Sequence, residues 1–184
     1  FKQKTAYEIP LRLVGSEMCI RDRSRAAIPV VASAVGFDNV RFVDGAIEAL
    51  DAPTATGEPL IADGSIDVVL SNCVLNLVNP SARDRRLANI RRVLAPGGRV
   101  AISDIVCDQV VPLRLQQDPD LWSGCISGAW QEQAFLEAFV ALGFKQVRYA
   151  DRSEQPWRVV EGIEFRAVTL VGALPSEGQR SSCC

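Results

Sequence analysis

An α/β domain built on a mostly parallel sheet is the fold class this sequence predicts, and three observations predict it. Apolar runs rich in β-branched residues occur at residues 66–70 (I-D-V-V-L) and 100–106 (V-A-I-S-D-I-V), the composition of strands buried on both faces. Between them Leu87, Ile90 and Leu94 recur at helical spacing. Strands that alternate with helices are joined by crossovers, which makes neighbouring strands parallel.

In chain order, residues 1–23 do not share this pattern. A strand over residues 7–14 is interrupted by Pro10 and leads into no glycine-rich turn. The stretch L-V-G-S-E-M-C-I-R-D-R resembles translated adaptor sequence, so residues 1–23 are taken as foreign to the domain, against the alternative of an ordinary N-terminal extension. Residues 26–34 are apolar and suit a helix broken near Pro29, with Gly36 as its stop. Residues 39–44 (N-V-R-F-V-D) alternate as a strand does. Gly45-Ala46-Ile47-Glu48 follows, and residues 51–64, with their prolines and glycines, form a loop.

The strand at residues 66–70 ends in Ser71-Asn72-Cys73. In open α/β sheets ligands sit beyond the carboxyl ends of strands, so Asn72 and Cys73 are placed at the lip of a crevice. Taken alone, Cys73 is a small buried hydrophobe, since free cysteine is among the most buried residue types. Ser81 is the expected N-cap of the next helix, with Arg83, Arg85, Arg86, Arg91 and Arg92 on its solvated faces. Pro96-Gly97-Gly98 ends the helix and turns the chain. Residues 112–119 connect, and residues 118–127 lead to a second helix with Phe135, Leu136, Phe139 and Leu142 inward and Gly143 as its stop. Residues 147–150 and 165–172 are two further strands, and residues 175–184 form a polar, disordered tail.

Composition narrows the function classes. The 184 residues carry a formal net charge of -2, with no basic excess to attract nucleic acid or anionic lipid. No apolar run approaches the roughly 20 residues that span a bilayer. There is no histidine, which removes the usual general base and the commonest neutral metal ligand. The 6 cysteines, at positions 19, 73, 107, 125, 183 and 184, are irregularly spaced and contain no C-x-x-C pair. That spacing is no secreted disulfide framework or zinc ribbon and fits reduced thiols in the cytoplasm.

Several of these pieces resemble one family. A strand ending D-G-A-I-E, the strand I-D-V-V-L-S-N and the phrase L-A-P-G-G-R-V-A-I-S-D resemble the later half of class I S-adenosylmethionine methyltransferases. S-N-C-V-L-N-L, D-L-W-S-G-C-I-S-G-A and P-W-R-V-V-E-G-I-E-F-R narrow the resemblance to arsenite methyltransferase, over residues 35–172. The resemblance implies an enzyme that methylates trivalent arsenic held by cysteine thiolates. It places two of those thiols at Cys73 and Cys125, as catalytic and arsenic-binding residues. By the same resemblance the expected substrate is As(III), free or as a thiol adduct, and the expected cofactor S-adenosylmethionine, with Ala46, Ile47 and Glu48 beside its adenine and Asn72 near its methionine portion. The choice of sulfur suits the chemistry, because As(III) is soft and thiolates are the binding form. Cys107 is a core thiol by this reading, and Cys183-Cys184 resemble terminal pairs in some relatives.

The sequence departs from the family in its upstream part. The first two strands, the glycine-rich G-x-G-x-G turn and the acidic residue that binds the ribose have no counterpart, and neither has a further upstream arsenic cysteine. The resemblance therefore implies a truncated Rossmann-like sheet over residues 24–174, corresponding to the family's C-terminal part. The residues leave two other functions open: methylation of another small molecule, and thiol-based sequestration of metalloids without turnover.

Overall fold

The computed structural model describes Gly36, Val43 and residues 45–77 and 80–176. The chain divides into two units, Phe1–Asp44 and Gly45–Cys184, and the elements named below belong to the second. The expected strand over residues 7–14, that over 39–44 apart from Val43, which lies in no strand, the broken helix over 26–34, and Cys19, Cys183 and Cys184 lie outside the described residues.

Among the described residues six strands form one sheet: β1 (Ile66–Asn72), β2 (Leu94–Cys107), β3 (Trp130–Gln131), β4 (Lys145–Arg152), β5 (Arg158–Val160) and β6 (Ile163–Ala173). The order is β1-β2-β6-β4, with β3 on β2 and β5 on β6. β2 is parallel to β1 and β3, while β6 is antiparallel to β2, β4 and β5. Every strand except β6 thus runs the same way, as expected for an α/β domain, but β6 pairs antiparallel with three of them, so the sheet is mixed rather than mostly parallel in its pairings. The reversal of β6 follows from its connection. β5 and β6 are joined by Glu161-Gly162, both at positive φ (50° and 80°), the geometry of a two-residue hairpin turn.

The helices are α1 (Arg83–Val93), α2 (Leu113–Gln116), α3 (Pro119–Ser123) and α4 (Glu132–Ala141). α1 and α4 bring Leu87, Ile90, Phe135 and Phe139 against Val100, Ile102 and Leu170 of the sheet. Phe139 meets both Phe135 and Phe144 edge-on at 5.5 Å, a geometry the ring quadrupoles favour. A second apolar cluster, around Ile105, Leu121, Ile126 and Phe165, fills the other end of β2. No helix among the described residues is long and apolar enough to cross a membrane.

The structure corrects several local expectations. α1 begins at Arg83 with Ala82 in the capping position, after a 3-10 turn over Pro80–Ala82. The proline starts a tight turn early, so the cap falls one residue beyond Ser81. Arg86 is not on a solvated face: it is fully buried. It precedes Ile90 by four residues and Val93 by seven, which places it on the inner stripe. Residues 96–98 do not end the helix. α1 stops at Val93, Leu94 already pairs with Ile66, and the ladder resumes at Val68↔Arg99. The intervening residues loop out, with Gly97 at φ 79° donating its N–H to the Pro175 carbonyl at 3.1 Å. The connecting segment 112–119 holds the one-turn helix α2.

Candidate functional site

The site is built into a gap along one edge of β2. Over Arg99–Ser103 that edge pairs with β1, and at Val106–Cys107 it pairs with β3. Between them β1 has ended, and the chain turns away at Cys73, whose N–H still donates to the Ser103 carbonyl at 2.8 Å. Backbone groups in such a gap need other partners, because an unpaired buried carbonyl is costly. Asn76, 1% exposed, supplies them. Its Nδ2 donates to the Ile105 carbonyl at 2.6 Å and to the Cys125 carbonyl at 3.3 Å. Its own N–H donates to Asp104 Oδ2 at 3.2 Å.

Three sequence motifs meet here. The loop after β1 brings Cys73 and Asn76. The loop after α3 brings Cys125 and Gly128. Gly128 lies so close that a β-carbon there would sit 1.8 Å from the Asn76 carbonyl oxygen, so only glycine fits. Arg83 of α1 donates to the Gly128 carbonyl at 2.7 Å and stacks over Trp130 at 4.7 Å, which fixes the far side of that loop. Against Gly124, a β-carbon would meet Trp157 at 3.7 Å, so the P-W-R-V-V segment backs the same loop.

Cys73, Asp104 and Cys125 present their sulfur and carboxylate atoms within 4.8 Å of one another. Cys73 is half-buried, while Asp104 and Cys125 are 2% and 8% exposed. Both cysteines are left-handed, at φ 51° and 59°. That conformation costs an L-residue roughly 1–2 kcal/mol and gathers at functional sites. The Cys125 thiol holds Cys73 below the ordinary thiol value by donating to it, against burial and the charge of Asp104. Cys125 is correspondingly raised, first by that hydrogen bond and then by burial. The pair therefore shares its first ionisation, with the thiolate on Cys73. Burial pushes Asp104 up to about 6, although the N–H groups of Ile105, Asn76 and Leu75 and the charge of Arg86 favour the carboxylate.

The remaining expected residues lie apart from this cluster. Ile47–Ala49 is a 3-10 turn tied to α1 by Asn89, whose side chain donates to the Glu48 carbonyl at 3.1 Å. Ile47 packs on the first core and Ala46 is exposed. Asn72 ends β1, half-buried. No hydrogen bond joins it to residues 46–48. Cys107 is buried, with its thiol 3.1 Å from the Trp130 carbonyl and its pKa pushed up to about 12 by burial, as a core thiol should be. Asp104, Asn76 and Gly128 are candidate-site residues that sequence reasoning missed: Asp104 lies inside β2, three residues before its end, so the strand-end rule that singled out Cys73 does not reach it.

A methyltransferase domain family matches residues 20–143. The arsenite methyltransferase of Halobacterium salinarum is 42% identical over 94 residues, covering 51% of this chain and 24% of that protein. The arsenite methyltransferase of Aquipseudomonas alcaligenes is 37% identical over 130 residues, covering 71% and 35%. The chain thus spans a quarter to a third of the length of these relatives. Among solved structures, CrArsM, an arsenic(III) S-adenosylmethionine methyltransferase from Chlamydomonas reinhardtii, superposes with a TM-score of 0.64 at 31% identity, covering 78% of this chain and 47% of that one. The cyclase SpnF shares the fold at a TM-score of 0.53 and 17% identity, a reminder that the fold alone does not name a reaction.

Proposed function

We propose, for a chain that belongs to the methyltransferase domain family, that it carries the arsenic-holding part of an enzyme that methylates trivalent arsenic. The observation that carries this reading is the meeting of Cys73 and Cys125, far apart in sequence, on two strained loops that Asn76 joins. As(III) prefers sulfur donors. Each thiol that replaces an arsenic-bound hydroxide releases one water, and two such exchanges leave arsenic on both sulfurs with its lone pair free. The hydrogen bond between the thiols favours sequential capture: Cys73, the first of the two to ionise, attacks first and Cys125 closes the chelate.

S-adenosylmethionine supplies an electrophilic sulfonium methyl group when bound. The end of β1 fits its methionine portion, for Ser71 Oγ is buried there with no hydrogen-bond partner and Asn72 adjoins it. Glu48 and Ile47 would hold the adenine side. What the chain's own residues then contribute is position: a rigid pair of sulfurs fixes where the nucleophile points, and in-line displacement needs little more. The sequence carries no G-x-G-x-G turn and no ribose carboxylate, so the 184 residues by themselves bind S-adenosylmethionine weakly or not at all. Calorimetry checks this, and a micromolar dissociation constant would overturn it.

Arsenic capture is tested with phenylarsine oxide in a background where Cys19, Cys183 and Cys184 are serine. One equivalent should protect two thiols. Cys73→Ser and Cys125→Ser should each weaken capture by roughly 10²–10⁴-fold, the advantage of a second tethered ligand. Tight capture by either single variant would overturn the reading.

A further inference from the structure

The group that the arsenic reading leaves unexplained is Asp104. It is 2% exposed, yet its carboxylate shares a 4.8 Å neighbourhood with two sulfurs that must both become thiolates to bind anything. Three anions in one buried place repel each other, and burying a charge is costly unless it is paired. Arg86 is the second unexplained group. Its guanidinium is fully buried, has no hydrogen-bond partner for any of its three nitrogens, and interacts electrostatically with Asp104.

We propose that Cys73, Asp104 and Cys125 form a two-sulfur, one-oxygen site for a divalent thiophilic cation, Zn²⁺ or Cd²⁺, which competes with As(III) for the two thiols. The donor types suit such a cation: thiolate and carboxylate oxygen are both ligands of zinc, at about 2.3 Å and 2.0–2.2 Å. Two sulfurs and an oxygen that all lie within 4.8 Å of one another are near enough for side-chain rotation to draw them onto one ion. Water takes the fourth position.

Charge balance distinguishes the cation from arsenic. Without metal, the Asp104 carboxylate and Arg86 offset each other and both thiols keep their protons. A divalent cation displaces two thiol protons to the buffer, so the site's total charge does not change. The two thiolates and the carboxylate are then balanced by the cation and Arg86 together. As(III) joined to both sulfurs neutralises only the thiolates and makes no use of the carboxylate. The proposal shares its two thiols with the arsenic reading but needs no methyl transfer, so the two can fail separately.

The probe is Co²⁺, added to the full chain in the background with Cys19, Cys183 and Cys184 as serine. The parent should bind one equivalent, with thiolate-to-cobalt charge-transfer absorption and the strong visible bands of tetrahedral cobalt. Cys73→Ser and Cys125→Ser should each lower affinity at least a hundredfold. Asp104→Asn should lower cobalt affinity at least tenfold while one equivalent of phenylarsine oxide still protects two thiols, at whatever rate the loss of the Asp104 charge sets, which also shows that both loops still fold. Excess Zn²⁺ should slow arsenical capture by the parent and not by Asp104→Asn. In case Asp104→Asn folds poorly, Asp104→Cys supplies a gain of signal: a third thiolate at the cobalt raises the charge-transfer intensity by about half. Absence of the cobalt bands in the parent, unchanged cobalt affinity in Asp104→Asn, or unchanged intensity in Asp104→Cys would each overturn the proposal. Loss of cobalt binding together with undiminished arsenical capture in the parent would be the failure of this inference alone.

Discussion

The two halves of β2 meet the same demand in opposite ways. Over Arg99–Ser103 both edges are paired, to β1 and to β6, and Val100 and Ile102 point into an aromatic core. From Asp104 onward the β6 edge continues, but the other edge is open until β3 begins at Val106. There a side chain, Asn76, stands in for a strand, and the buried carboxylate of Asp104 shares its neighbourhood with the Cys73 and Cys125 thiols beside an apolar cluster. The regular half needs nothing but volume and alternation. The irregular half holds groups whose burial is unfavourable unless each has its partner, along with two left-handed cysteines. Unfavourable local terms are thus concentrated where the reactive groups are, on a strand whose other half supplies the stability to hold them.

The largest expected effect lies in the regular half. Phe139 is fully buried and touches aromatic rings on two sides. Phe139→Ala should cost about 3–5 kcal/mol in chemical denaturation, while the folded molecules that remain still protect two thiols against iodoacetamide when phenylarsine oxide is bound. Loss of thiol protection in those folded molecules would show that the two halves are one cooperative object and would break the comparison.

Asp104 sets the next effect, and its sign can be worked out. Its folded pKa is raised from 3.8 to about 6, so the folded state binds this proton more tightly than the unfolded state. The stability it contributes is present below pH 4 and is lost as pH rises through about 6, to a total on the order of 3 kcal/mol. Denaturation midpoints of the parent should therefore fall across that window, and the profile of Asp104→Asn should lack this slope. A parent curve that stays flat would mean that Arg86 and the backbone N–H groups compensate the carboxylate fully.

How much of this was legible follows the same division. The regular half is a matter of period and composition: V-A-I-S-D-I-V reads as a buried strand, and Phe135, Phe139 and Leu142 as a helix face, because core packing rewards volume at fixed intervals. Cys73 was legible from its place beyond a strand end, and Cys125 only through the resemblance. The gap in the β2 edge was not legible, since it arises from where β1 stops relative to β3, a tertiary fact. Asp104 consequently read as one more strand residue and Asn76 as one more loop residue. Arg86 was misplaced because charge outweighed its i, i+4 and i+7 spacing to Ile90 and Val93, which would have put it inside.

The staple itself predicts a smaller, coupled loss. Asn76→Ala leaves the Ile105 carbonyl buried without its 2.6 Å donor, which should cost about 1–3 kcal/mol and slow dithiol capture of phenylarsine oxide. Gly128→Ala forces a β-carbon toward the Asn76 carbonyl oxygen and should cost about 1–3 kcal/mol by overpacking. Because the two residues touch, the double variant should lose less than the sum of the singles. Strict additivity in a urea titration would show that the Cys73 and Cys125 loops are held independently.

The smallest expected effect is at the rim of the regular half. Glu132, in the first turn of α4, accepts from Arg152 Nε at 2.5 Å and Nη2 at 3.1 Å, a two-point pair between helix and strand β4. The arginine side chain is 43% exposed, so water and salt compete for both charges and the net gain is small. Glu132→Gln removes the pair and a favourable charge at the helix start, but leaves the backbone carbonyl of residue 132 to accept from the Tyr149 hydroxyl at 2.7 Å. The urea midpoint should record a loss below about 1 kcal/mol at low salt, and the difference should shrink in molar salt as screening removes what the pair contributed. A loss comparable to that of Asn76→Ala, persisting in high salt, would mean that polar contacts hold the regular half as much as the irregular one, and the contrast between the two ends of β2 would fail at its simpler end.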